Sequence, residues 1–213
     1  MEVIDLTHTI HDDIQIHPGD PKPSIRRGLT HEKDYCHVDL LNLGSHTGTH
    51  IDAPYHFLKD GQRIDEIPVH RFIGSGILID VSGKSERGLI DSSDLKSSAS
   101  EINNGDFVIL KTGWDRYVGT PQYYRHPYLS AGGARLLVEK GVSLVGVDAL
   151  NVDPTYYGRM ESDPSAKDLP DYKATELKSE KAKRLYHIRT SNRHWHHRYI
   201  GNQRCTQHAF LAQ

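Results

Sequence analysis

The pattern of apolar and polar positions changes character several times along the chain. Residues 3–10 alternate and predict a strand. Residues 12–23 are turn-rich, centred on Pro18-Gly19-Asp20-Pro21. Residues 37–43 alternate enough to predict a strand with one buried face. The run Gly76-Ile77-Leu78-Ile79-Asp80-Val81 is short, β-branched and flanked by glycine, which predicts a buried strand. Residues 91–100 read as a short helix capped by Asp91 or Ser92. A further strand is expected over 106–112, ending in a Gly-Trp turn. Residues 130–140 set Ala131, Ala134, Leu137 and Val138 at helical spacing, with Ser130 as cap and Gly141 as stop. Residues 142–147 form the next strand. Strands alternating with short helices predict an α/β layered domain.

Beyond residue 171 the periodicity fades. One Lys- and Glu-rich helix is predicted over 174–186, with Ala174, Leu177, Ala182 and Leu185 as its few apolar positions. After Arg189 neither a strand nor a helix period is present. Charge divides the chain in the same region. Lys and Arg outnumber Asp and Glu by ten to four from residue 167 onward, and are outnumbered sixteen to twenty-four before it. The expected organisation is a domain over residues 1–171 and a basic, His-rich, partly disordered tail over 172–213.

Composition narrows the function. A chain of 213 residues suits one domain, or two small ones, and can bury a core without disulfides. No apolar run approaches the roughly 20 residues of a membrane helix, so no membrane partner is expected. The start, Met1-Glu2-Val3-Ile4-Asp5-Leu6, lacks the basic and apolar parts of a signal peptide. Two distant cysteines, Cys36 and Cys205, point to a reduced, cytoplasmic compartment. The net charge of -2 argues against nucleic acid as a partner.

Histidine is the abnormal component, at 15 residues. Nine lie between positions 8 and 70 and five between 187 and 208, with His126 alone between the groups. The densest segment is His46-Thr47-Gly48-Thr49-His50-Ile51-Asp52-Ala53-Pro54-Tyr55-His56. In an extended chain His50 and Asp52 point the same way. His46 joins them if Gly48 lets the backbone turn. Two imidazoles and a carboxylate make a common zinc set with an open position, and also suit manganese or iron. His56, beyond Pro54, is placed to move protons. The spacing leaves two readings open: a metal centre, or coincidence in a His-rich chain.

The string HTGTHIDAPYHF, residues 46–57, resembles the signature of the cyclase family, metal-dependent hydrolases that include bacterial kynurenine formamidases and isatin hydrolases. Val3-Ile4-Asp5-Leu6-Thr7, Pro18-Gly19-Asp20, Gly105-Asp106, Thr112-Gly113-Trp114 and Val145-Gly146-Val147-Asp148 are similar to the family's other segments, in order, over about residues 1–155. The resemblance implies a swivelling β/β/α-type fold with a mixed sheet, and a homodimer or larger homo-oligomer. It implies His46, His50 and Asp52 as metal ligands, with Asp52 bridging to a second ion. It implies His56 as the proton donor and acceptor, and His17 as a substrate contact at a position that is tryptophan in kynurenine formamidases. The implied reaction is hydrolysis of a small formamide or cyclic amide by metal-activated water. Its best instance is arylformamidase action on N-formyl-kynurenine in tryptophan breakdown. The cofactor is a divalent metal, zinc ahead of manganese, one or two per chain.

The tail departs from this pattern. The family supplies a further histidine and then a glutamate on an apolar strand, completing the second metal site. Asp168-Leu169-Pro170 resembles the approach to that histidine, but Asp171, Tyr172 and Lys173 follow. The abrupt loss of periodicity reads as a frame-altered or otherwise altered end. An alternative function follows: a metal-binding, catalytically impaired family remnant without the second site. No spacing supports His187, His194, His196, His197, Glu176 or Glu180 as replacement ligands, and the 194–198 cluster reads as solvated tail. Elsewhere, His8, His11, His31 and His37 read as surface or core histidines, Trp114 as packing, and Cys36 as a small buried hydrophobe. Asp148 and Asp153 flank a strand end where α/β sheets often place ligands.

Overall fold

The computed structural model describes residues 4–155 and two short strands, residues 186–189 and 204–205. In chain order the strands are β1 (Ser24–Leu29), β2 (Val38–Asn42), β3 (Ile51–Asp52), β4 (Gly76–Asp80), β5 (Leu89–Ile90), β6 (Phe107–Lys111), β7 (Tyr128–Leu129), β8 (Leu144–Val147), β9 (Tyr186–Arg189) and β10 (Arg204–Cys205). The helices are α1 (His31–Asp34), α2 (Ser92–Leu95) and α3 (Ala131–Glu139), with 3-10 turns between them.

Near-continuous apolar runs make β4, β6 and β8 central strands. They pair in parallel, Ile77 with Val108 and Val108 with Val145. Such strands are covered on both faces. Successive residues point to opposite faces. Val108 and Val145 therefore meet Leu95, Ala134 and Leu137 on the helical side. Phe107 and Leu144 face away, toward Ile67 and the half-buried Ile51, Ala53 and Phe72. This second layer seats the segment carrying Asp52 on the sheet.

The main sheet has the order β10-β4-β6-β8-β9-β3. The four inner strands are parallel, and β10 and β3 pair antiparallel at the margins. The architecture is the mixed α/β layering expected from the sequence. In α3, Ser130 Oγ accepts the Gly133 amide at 3.0 Å and donates to Asp91 Oδ1 at 2.5 Å, so one hydroxyl caps α3 and joins it to the start of α2. Gly141 ends the helical region at φ +74°. No helix among the described residues is long and apolar enough to cross a membrane.

Several expectations need correction. Residues 4–10 alternate in exposure but form no strand; the His8 amide donates to Thr49 Oγ1 instead of to a ladder. The strand expected over 37–43 exists as β2, yet all five of its residues are exposed. It pairs with β1 in an antiparallel hairpin, Ile25 opposite Leu41 and Arg27 opposite Asp39, so its apolar residues meet no layer of the core. Cys36 is exposed beside the hairpin tip, not buried. The helix expected over 174–186 lies outside the described residues except Tyr186, which opens β9. The boundary at 171 also lies outside them. The backbone of β9 runs parallel to β8 and antiparallel to β3, with His187 in register with Asp52.

Candidate metal centre

The motif is held by a bend that favours glycine. Gly48 sits at φ +73°, and a Cβ there would lie 3.2 Å from Ile10 Cγ1. Both the conformation and the close approach of Ile10 select glycine. Turning at Gly48 brings His46 back toward β3, where Asp52 is buried at 7% exposure.

One oxygen of Asp52 meets two imidazoles. His46 Nδ1 lies 2.7 Å from Asp52 Oδ1, and His50 Nε2 lies 3.2 Å from the same atom. The three ligand atoms offered by His46, His50 and Asp52 all fall within 4.8 Å of one another. Among the described residues this is the one such group of His, Cys, Asp and Glu. Both histidine rings are partly buried and meet edge to face at 4.9 Å.

The donor chemistry fits a divalent cation. His50 Nδ1 lies 2.9 Å from the Gly48 carbonyl, to which it donates. With Nδ1 engaged there, Nε2 is the ring nitrogen that faces the Asp52 oxygen. An imidazole nitrogen without its proton and a carboxylate oxygen are both ligands for a divalent cation. A backbone carbonyl fixing the far nitrogen is the usual support for a ligating histidine. His46 responds to the same carboxylate. Its hydrogen bond to Asp52 raises its pKa; burial opposes that, and the charges of Asp52 and Asp20 add to it. A proton and a metal ion thus compete for His46.

His56 comes from the 3-10 turn Pro54–His56. Its ring lies 4.0 Å from that of His46, inclined at 41°, and 4.3 Å from Phe57, edge on. His17 sits on the turn closed by the Asp20 amide and the His17 carbonyl at 3.1 Å. Its Nδ1 lies 3.0 Å from the Pro18 carbonyl. The turn carries Asp20 into electrostatic range of His46, a role the sequence reading did not assign. The Pro-Gly-Asp string is the sequence signal for this turn, and the Asp20 charge is the smallest of the influences on His46.

Of the other strand-end candidates, Asp148 holds the backbone together. Asp148, 2% exposed, accepts the Thr112 amide at 2.8 Å, the Thr112 hydroxyl at 2.5 Å and the Gly113 amide at 2.7 Å. It ties the end of β6 to that of β8. Trp114 packs among Tyr123, Val147, Ala149 and Leu150, as expected. Asp153 accompanies a local turn in which its amide donates to Asn151 Oδ1.

A mixed α/β sheet thus carries a buried carboxylate on a marginal strand, with two imidazoles from the loop before it, an arrangement suited to a divalent cation. The sequence profile of the Cyclase family matches residues 4–154, and the chain belongs to that family. It is 32% identical to kynurenine formamidase of Bacillus cytotoxicus over 156 residues, covering 72% of this chain and 71% of that protein. Kynurenine formamidase of Bacillus cereus is 33% identical over the same shares. Among solved structures, isatin hydrolase A from Labrenzia aggregata, bound to benzyl benzoate, superposes with a TM-score of 0.74. The two are 22% identical, over 90% of this chain and 81% of that one, a likeness of fold.

Proposed function

We propose that this chain is a metal-dependent amidohydrolase that cleaves the formamide C–N bond of N-formyl-kynurenine, an arylformamidase. One observation carries the reading: two imidazole nitrogens converge on one oxygen of the buried Asp52, with the His56 ring centred 4.0 Å from that of His46. The names of the curated relatives support the substrate class. His46, His50 and Asp52 are the proposed ligands for zinc, with manganese next, at one or two ions per chain. A divalent cation there supplies Lewis acidity, polarising a carbonyl oxygen and lowering the pKa of water.

The chain's own residues supply orientation and proton transfer. Asp52 and the Gly48 carbonyl fix the ligand rings. His56 takes a proton from the attacking water and returns it to the leaving aryl nitrogen. A C–O bond forms and the C–N bond breaks, so formate and the free amine leave. His17 contacts the substrate from the Pro-Gly-Asp turn. We place the enzyme in the cytoplasm as a homo-oligomer, on its cysteine usage and family.

The test is formate release from N-formyl-kynurenine by the metal-loaded protein. His56→Ala should slow turnover by about 10²- to 10⁴-fold, the usual share of general acid–base catalysis, with metal content unchanged. Undiminished turnover in that variant would remove His56 from the mechanism.

A further inference from the structure

The motif ends in an exposed aromatic run. Tyr55 and Phe57 are each 48% exposed, whereas Phe107 in the core is 4% exposed. The backbone beneath them is pinned. The Phe57 and Leu58 amides both donate to the Pro54 carbonyl, at 3.1 and 2.9 Å. The loop that follows closes back on the same turn: the Tyr55 amide donates to the Gln62 carbonyl at 3.0 Å, and a Cβ at Gly61 would lie 2.6 Å from the Pro54 carbonyl carbon. Phe57 is therefore a large apolar ring held half in water by a rigid turn.

Its position relative to the centre is specific. The Phe57 ring lies 4.3 Å from His56 at 68°, and His56 lies 4.0 Å from the candidate ligand His46. Two ring contacts lead from the ligand set to the exposed face of Phe57. In an aryl formamide the aromatic ring is bonded directly to the scissile nitrogen. When that nitrogen receives a proton from His56, the substrate ring must lie beside His56. Aromatic pairs favour centroid separations of roughly 4.5–7 Å, which a ring next to His56 can reach from Phe57.

We propose that Phe57 is a specificity-determining residue: its exposed face packs against the substrate's aromatic ring and selects aryl over aliphatic formamides. The proposal rests on the amidohydrolase reading above. The ring takes no part in proton transfer, so its contribution is made in substrate binding and is retained in the transition state. Removing it raises KM and leaves kcat nearly unchanged. Phe57→Tyr keeps the aromatic face and keeps the preference.

The experiment compares wild type, Phe57→Ala and Phe57→Tyr, each metal-loaded, in two ways. The first is steady-state hydrolysis of N-formyl-kynurenine. The second is calorimetric binding of 2-aminoacetophenone, a neutral aryl ketone without a scissile bond. Phe57→Ala should raise KM by about tenfold with kcat within about threefold, and should weaken 2-aminoacetophenone binding by a similar factor. Phe57→Tyr should restore both, and metal content should be equal in all three. Unchanged KM and affinity in Phe57→Ala, or a fall in kcat alone, would overturn the proposal. If wild type itself shows no turnover, the amidohydrolase reading fails, and the binding series still decides whether Phe57 holds an aryl ring.

Discussion

At Gly48, conformation, space and chemistry meet in one residue. Its φ of +73° costs a residue with a Cβ roughly 1–2 kcal/mol. Its carbonyl orients His50, and Ile10 occupies the space a methyl would need. Gly48→Ala should lower unfolding stability by about 1–2 kcal/mol in urea and weaken zinc binding by about 10- to 100-fold in a calorimetric titration. Full zinc affinity in that variant would show that the bend at residue 48 does not set the ligand geometry. The three candidate ligand positions were legible in the sequence because metal coordination demands particular residue types at close spacing. The supporting contacts were not. Asp20 acts on His46 only through its charge, from the turn at residues 17–20, and a backbone carbonyl leaves no trace in residue identity.

Among the elements, α3 shows what pattern and capping can specify. Leu137, with no exposed area, faces the sheet, and Ser130 holds both the helix start and Asp91. Leu137→Ala should cost about 2–5 kcal/mol and Ser130→Ala about 1 kcal/mol, read as shifts in the urea midpoint. A larger loss for Ser130→Ala than for Leu137→Ala would contradict this division between packing and cap. The strands β4, β6 and β8 were equally readable, since buried parallel strands are apolar throughout. The strand β2 lies where its alternation places it, but its burial does not follow. Alternation normally signals one buried face, but here Val38, Leu40 and Leu41 are 49%, 64% and 58% exposed. Residues 4–10 fail differently: they join no ladder, and their backbone is held by side-chain contacts such as His8 to Thr49.

For the whole molecule, the sheet sets an order that local patterns cannot reveal. Asp52 is on a marginal strand that is reached only through β9, far along the chain. Electrostatics also link the ends of β4 and β6. Asp80 Oδ2 lies 2.7 Å from Lys111 Nζ. Burial pushes the Asp80 carboxyl upward, but Lys111 and Ser82 outweigh it and hold it below its ordinary value. A carboxylate with a lowered folded pKa stabilises the fold above its unfolded pKa and loses that contribution as pH falls through the folded one. Asp80 is half exposed, so Asp80→Asn should cost under about 1 kcal/mol at neutral pH. The deficit should shrink below about pH 4 in urea titrations, near the unfolded carboxylate value. A deficit that grew in acid would reverse the assigned sign.

The central claim is that the Cyclase-family fold here builds a working metal centre from His46, His50 and Asp52. The most direct measurement is N-formyl-kynurenine hydrolysis by purified protein before chelation, after chelation, and through stepwise return of zinc, with metal content determined at each stage. The account predicts turnover that disappears with the metal and returns in proportion to zinc bound, and that Asp52→Asn neither retains zinc nor recovers. Hydrolysis indifferent to chelation, or stoichiometric zinc with no turnover at any loading, would contradict it.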